Sequence, residues 1–503
     1  MNILKKNLNF DEIIGIVLFV SSIILLLIML ILGLNQSLWL DEEYTINLVD
    51  LSFKDLKSMI FIISMDVHPP LYYMILKSIL MILPHQLSFN IIVYKVVSII
   101  PLILLLGFNL TKLRKDFGWL LCGIFGFCLI TMPKMMIYYT QIRMYSWVMF
   151  FVTLSFYYCY KITNENSKKN WIIFTIFSLL SAYTHYYGSI AIAFMFLLLI
   201  LKNRNLIKTW LLSGIIITLA YIPWVFLFIK NTVLGDNQWS VPSFPDVVNI
   251  IGFIFSPNYH DYDINNVGIL FFIVFISLIV YYLFKIKKDK KNSSTFINRG
   301  FFVLLSTMSF ALIFSVLIKP MFYAKYVFVV EGCLWLSFSA LLSKTYSKKT
   351  VFAPILIFII VVGLLNSVTF ISAENSFKIA DLEFKNYLNQ MSDNDMIIYL
   401  GPHLMVKFFD LYLINKTLIV WTNNSSMILD INKSIDDNKK VWVFDNANNG
   451  FPELYGGLQS FNTTLTKNGL RIDEVGEINP PHYMTYPRYI YLVSQQNMIH
   501  DHY

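Results

Sequence analysis

EIIGIVLFVSSIILLLIMLILGL, residues 12–34, is an apolar run whose only charge is Glu12 at its edge. A helix needs ~20 such residues to cross the hydrocarbon core of a bilayer. The run is too long for the apolar core of a signal peptide and lacks a small-residue cleavage site, so it reads as a retained helix. Further candidate spans follow at 90–111, 117–137, 146–160, 170–187, 188–201, 210–229, 266–284, 300–318, 326–343 and 351–371. The stretch 71–84 is shorter and flanked by Pro70 and Pro84. It reads as an interfacial helix with Pro70 in its first turn. The expected architecture is an α-helical polytopic membrane protein of about eleven transmembrane helices.

Composition agrees. Hydrophobic residues make up 56% of the 503 and charged residues 14%, where a soluble domain averages ~25% charged. Mean hydropathy is +0.60. The net charge of +8 does not point to nucleic acid, because Lys and Arg fall in short clusters between apolar runs and form no basic groove. Placing Lys5 and Lys6 in the cytoplasm puts 20 of the 39 basic residues on that side, nine in the short outer loops and ten in the C-terminal tail. That asymmetry predicts a cytoplasmic N-terminus and, with an odd number of spans, a tail outside. The expected location is a bacterial plasma membrane. Cys122, Cys128, Cys159 and Cys333 all lie in apolar segments, so neither a disulfide framework nor a metal-binding spacing is evident.

From about Glu374 the composition changes. Short β-like runs at 396–400, 417–421, 440–444 and 489–494 alternate with helical stretches and Asn/Gly/Pro turns. This predicts a small extracytoplasmic α/β domain over 373–503, following a membrane domain over 1–372. The first outer loop spans about 35–89.

The ionisable residues at membrane ends gather on one side. The first outer loop holds Asp41, Glu42 and Tyr44, then Asp66, His68 and Tyr72; later outer ends hold Arg143 and Tyr145, His185, and Lys325. Taken singly, each fits a bland role: a solvated acid, a helix-start histidine, a cation snorkelling to headgroups. Their convergence on one face, in a topology fixed by other residues, makes a site where an anionic lipid headgroup binds and a hydroxyl is deprotonated.

The strings Leu38-Trp39-Leu40-Asp41-Glu42, His68-Pro69-Pro70-Leu71-Tyr72-Tyr73, Arg143-Met144-Tyr145-Ser146, Thr184-His185-Tyr186-Tyr187-Gly188 and Lys325-Tyr326, in this order and spacing, resemble the GT-C superfamily of lipid-dependent glycosyltransferases. The likeness is to the bacterial branch related to protein O-mannosyltransferases and to the aminoarabinose transferase of lipid A. It covers roughly residues 10–345 and leaves the tail out. The family usually has Arg-Tyr where this chain has Lys325-Tyr326, and commonly Glu-Ala where it has Gln141-Ile142.

The resemblance implies inverting transfer of a sugar from a polyprenyl-phosphate-sugar donor to an acceptor hydroxyl on the outer face. It implies Asp41 as general base. Glu42 positions the acceptor or a neighbouring cation, and Asp66 supports the base. Arg143, Lys325 and His68 bind the lipid phosphate. His185, Tyr44, Tyr72 and Tyr145 line the sugar and acceptor pocket. No metal site is expected and no cofactor is firmly predicted, although the acidic loop leaves a divalent cation open. The acceptor is a cell-envelope polymer, a glycolipid or a protein. Rival readings are a lipid or solute transporter and a non-catalytic membrane scaffold. A transporter carries its polar residues near the midplane, often on paired repeats; here the spans read as nearly charge-free in their middles.

Overall fold

The computed structural model describes residues 8–34, 38, 40–51, 66–84, 90–230, 241–259, 261–286, 293–401, 418–421, 425–445, 457–478 and 487–495. Trp39 of the acidic motif, and residues 52–65 and 85–89 of the first outer loop, lie outside these. The chain divides into two compact units, Met1–Leu34 with Leu51–Ile371, and Asn35–Asp50 with Ser372–Tyr503.

The first unit is helical: α1 (Phe10–Gly33), α3 (Leu71–Ile82), α4 (Ile91–Phe108), α5 (Trp119–Thr131), α6 (Met135–Thr140), α7 (Tyr145–Asn164), α8 (Lys168–Thr184), α9 (Tyr186–Lys202), α10 (Ile207–Ile229), α11 (Phe244–Phe255), α12 (Asn266–Tyr281), α13 (Ser293–Leu317), α14 (Phe328–Lys344) and the first part of α15 (Lys349–Leu388). In chain order α1 is followed by α2 (Leu40–Leu51), nearly all of which belongs to the second unit. Seven helices among the described residues are long and apolar enough to cross a membrane, and the predicted spans are largely helical, with 117–137 interrupted between Thr131 and Met135 and 170–187 interrupted at His185. The protein is a multi-pass membrane protein.

Two helices form the centre. Along α14 every residue from Phe328 to Leu342 is buried, and α7 is buried nearly throughout. Peripheral helices instead leave leucine and isoleucine exposed, as at Ile31, Leu212, Ile273 and Leu317. Lipid tails are as apolar as these side chains, so burying them gains little, and tight helix contact falls to small residues. The crossing of α1 and α5 illustrates this. A methyl group on Gly15 would lie 2.1 Å from the Trp119 carbonyl oxygen, and one on Gly123 would lie 2.1 Å from that of Gly15.

Three local features depart from expectation. The run 117–137 is not one helix; it breaks after Thr131 and resumes at Met135, with Lys134 left-handed at φ 64°. Pro133 explains the break, because it clashes with a continuing helix and biases the residue before it towards extended backbone. The helix α11 was not anticipated, yet its start is written in Ser243-Phe244-Pro245-Asp246: the Ser243 hydroxyl donates to Asp246 at 2.6 Å and the pair forms a capping box. Finally, α15 runs 17 residues beyond the predicted end of its span, because Phe377, Ala380, Phe384 and Leu388 recur at helical spacing and are all buried.

The second unit carries a five-stranded sheet in the order β2-β1-β3-β5-β4. Its strands are β1 (Met396–Tyr399), β2 (Leu418–Val420), β3 (Val441–Asp445), β4 (Leu470–Glu477) and β5 (Tyr489–Gln495). β2, β1 and β3 are parallel; β5 pairs antiparallel with both β3 and β4. The parallel crossover is made by α16 (Ser425–Asp436), and α17 (Gly457–Lys467) leads into β4. Met396, Ile398, Val441, Val443 and Val493 supply one face of the core, against Ile431, Phe461 and Leu465 from these helices. The strand missed by sequence is β4. Its alternation is diluted by Arg471, Asp473, Glu474 and Glu477, charges that suit a solvated edge and discourage pairing with another chain.

Candidate active site at one end of the helix bundle

The turn before α3 is organised by Asp66. Its Oδ1 accepts the Val67 backbone N–H at 2.8 Å, and its Oδ2 accepts the Tyr73 hydroxyl and stands 3.2 Å from His68 Nδ1. Asp66 is 4% exposed. Burial alone would raise its pKa, but His68 by charge and hydrogen bond, then Arg143, then Tyr73, hold it down to about 2. A carboxylate so stabilised is a poor proton acceptor. It is an anchor for His68 and Tyr73. One residue before Tyr73, Tyr72 turns away and its hydroxyl lies 3.0 Å from Ser98 Oγ on α4.

The aromatic wall comes from three other chain turns. His185 is the single residue between α8 and α9, and its ring stands 5.5 Å from that of His68, 6.1 Å from Tyr145 and 5.0 Å from Tyr326. Its Nδ1 accepts the Tyr187 backbone N–H at 3.1 Å. That nitrogen is therefore unprotonated, and in the neutral ring the proton sits on Nε2. Among the described residues Nε2 is buried with no partner, and so is the Tyr145 hydroxyl. Lys325, just before α14, has its Nζ 5.3 Å from the Tyr323 ring centroid and 5.9 Å from that of Tyr145. Arg143 and Lys325 are both buried, at 4% and 7% exposed. Both act electrostatically on His185, as do His68 and Asp66.

The structure thus brings together Asp66, His68, Arg143, Tyr145, His185 and Lys325, whereas the Tyr72 hydroxyl is directed to Ser98. Asp41, Glu42 and Tyr44 lie on α2, in the second unit. Glu42 is 2% exposed, and the Asp41 carbonyl accepts the Thr45 hydroxyl at 2.9 Å. Among the described residues no three His, Cys, Asp or Glu side chains are grouped as a metal ion requires.

Two ionisable residues escaped the sequence reading. Lys134 is buried, and its Nζ donates to the carbonyls of Asn258, of Tyr259 at 3.0 Å and of Asp261 at 2.7 Å. This pins the loop after α11 so that the Tyr262 hydroxyl meets that of Tyr138 at 2.8 Å, and Tyr138 packs on Tyr145 at 5.2 Å. Glu331 on α14 is fully buried; its Oε2 accepts the Trp335 indole N–H at 3.3 Å, and its Oε1 has no partner among the described residues. A lone acid inside an apolar span was the available signal.

Among the solved structures that resemble nearly the full length of this chain are two of one protein. They are ArnT from Cupriavidus metallidurans bound to undecaprenyl phosphate, with TM-score 0.57 and 10% identity, and the same protein in the apo state, with TM-score 0.57 and 9% identity. Each comparison covers 95% of this chain and 97% of the other. This chain has the ArnT fold. No family model and no curated protein matches its sequence. With about nine-tenths of the residues changed, what the ArnT fold retains here is the helical body with a C-terminal domain. In this chain the buried cations and the aromatic wall sit at or beside the turns between helices.

Proposed function

We propose that this protein transfers a sugar, with inversion, from a polyprenyl-phosphate-sugar to an acceptor hydroxyl at the outer face of the membrane. The observation that carries the reading is the buried Arg143 and Lys325 near His185, whose buried Nε2 has no partner among the described residues, in a fold shared with a protein seen bound to undecaprenyl phosphate. A polyprenyl phosphate leaving group is already anionic and needs positive charge more than it needs a proton. Arg143 and Lys325 supply that charge, while His185 and Tyr145 donate hydrogen bonds to phosphate or sugar oxygens. The acceptor hydroxyl requires a base, and we assign Asp41. Its support is the Leu38-Trp39-Leu40-Asp41-Glu42 motif, together with the unsuitability of Asp66, whose oxygens are engaged and whose pKa is low. Glu42 positions the acceptor. The N-terminus is cytoplasmic in this reading, from the basic-residue asymmetry.

The test uses purified full-length protein in detergent with a radiolabelled polyprenyl-phosphate sugar. Wild type is expected to release or transfer the label, and Asp41→Asn to lose this while still inserting and purifying normally. Near-normal turnover by Asp41→Asn would remove the base assignment. Absence of both turnover and binding with several donor sugars would overturn the glycosyltransferase reading in favour of transport.

A further inference from the structure

The opposite end of the same bundle holds a second cluster of cations that the transfer reaction does not use. A cavity of ≈ 290 Å³ lies between α9 and α13, lined by Leu198, Leu201, Lys202, Asn298, Arg299 and Phe302. Arg299 Nη1 donates to the Thr163 hydroxyl at 2.6 Å, which ties the cavity to the last turn of α7. The start of α7 carries Tyr145 of the candidate active site. Eighteen helical residues separate Tyr145 from Thr163, so the two places are ~27 Å apart along α7 at 1.5 Å per residue. The cavity lies at the membrane end where Lys161, Lys168, Lys169, Lys202, Arg204 and Lys208 collect, the face that charge asymmetry assigns to the cytoplasm.

Arg299 is the unusual member. It is 5% exposed, and its Nε is buried with no partner among the described residues. No carboxylate pairs with it among those residues either. Holding a guanidinium under cover without an anion is costly, so such a group selects for one. Lys202, which is exposed at the end of α9, supplies a second cation to the same cavity. The rest of the wall is mainly Leu198, Leu201 and Phe302. A freely soluble anion has no use for three apolar side chains, whereas an amphiphile does.

We propose that this cavity binds the phosphodiester headgroup of an anionic phospholipid from the cytoplasmic leaflet. The phosphate meets Arg299 and Lys202, and the adjoining glycerol and methylene carbons lie against Leu198, Leu201 and Phe302. The cavity volume sits at the lower end of small-ligand sites, so it takes a headgroup and leaves the chains in the bilayer. Basic pockets between helices on the cytoplasmic side recognise anionic headgroups by this combination of charge and apolar contact.

Delipidated full-length protein in a zwitterionic detergent would be titrated with phosphatidylglycerol, with phosphatidylcholine and with inorganic phosphate, and bound molecules followed by native mass spectrometry. Wild type is expected to bind one phosphatidylglycerol more tightly than any phosphatidylcholine. Arg299→Gln and Lys202→Gln should each weaken that first binding event roughly tenfold, the loss of one charge-assisted contact. Equal binding of the two lipids, or an unchanged phosphatidylglycerol affinity in both variants, would overturn the proposal. Inorganic phosphate binding as tightly as phosphatidylglycerol would also overturn it and make the cavity a soluble-anion site. Should Arg299→Gln fail to purify, Lys202→Gln alters only an exposed side chain and decides the matter alone.

Discussion

Replacing Asp66 by Asn keeps the shape of the side chain and removes its charge. In the wild type, Asp66 accepts from the Val67 N–H at 2.8 Å, from Tyr73 and from His68. Its pKa is lowered from 3.8 to about 2. A lowered carboxylate pKa stabilises the fold above the unfolded pKa, and the contribution disappears as pH falls through the folded value. The gap of nearly two units corresponds to about 2 kcal/mol at pH 7. Asn forfeits this and also turns one acceptor into a donor facing Tyr73 and His68, so a total of about 2–4 kcal/mol is expected. The assay is the thermal unfolding midpoint in detergent at stepped pH. The Asn variant should unfold several degrees below wild type from pH 7 to pH 4, and the difference should shrink only between pH 4 and pH 2. An Asn variant as stable as wild type at pH 7 would refute the reasoning, as would a difference that vanishes already between pH 7 and pH 5.

Other expectations follow from the same contacts. Lys325→Met should weaken polyprenyl-phosphate binding roughly a hundredfold, the scale of one lost charge contact in a dry site, whereas Lys325→Arg should keep it; equal binding by the Met variant would detach Lys325 from the phosphate. Lys134→Met strands three carbonyls that its ammonium now satisfies, at about 1–3 kcal/mol for each buried group left unpaired, and limited proteolysis should then cut faster between residues 256 and 265. Gly15→Leu places a side chain where even a methyl meets the Trp119 carbonyl oxygen at 2.1 Å; it should abolish monodisperse purification, while Gly107→Leu, with open space around it, should not. In the second unit, Trp442→Phe deletes the 2.9 Å indole bond to buried Asp395, and a loss of about 1–3 kcal/mol should appear in the unfolding of that domain.

The body of the fold was legible because hydrophobic run length is a direct physical signal: the spans from Phe10–Gly33 to the start of Lys349–Leu388 are largely helical, apart from the interruptions of 117–137 after Thr131 and of 170–187 at His185. The features that escaped are those in which two signals compete. At Lys134 an apolar run overrode the warning from Pro133; in β4 the charges hid an alternating Leu470 and Ile472; at α11 the capping box lies in a stretch of sequence too polar to suggest a span. The candidate site was half legible. His68, Arg143, His185 and Lys325 were found as chemistry gathered on one face. The Lys134 clasp was not, because its acceptors are backbone carbonyls 124 to 127 residues away, and a carbonyl leaves no mark in a sequence. Nor could sequence assign Asp66 its role as an anchor, since that depends on which neighbours fill its lone pairs.

The junction between α8 and α9 has an implication for how this site can vary. At His185 the first turn of a helix and the proposed contact with sugar or phosphate are served by different nitrogens of one ring. The backbone of α9 consumes Nδ1, so secondary structure, not a neighbouring acid, dictates which edge carries hydrogen. The helix start thus selects the tautomer of the neutral ring, while Arg143, Lys325, His68 and Asp66 act on the ring's charge. It also narrows the substitutions the position tolerates: Asn satisfies the helix but is too short to reach the pocket, and Phe reaches the pocket but offers neither an acceptor nor a donor. A bifunctional five-membered ring is the compact solution, and divergence at this junction would have to rebuild the helix start and the pocket in a single step.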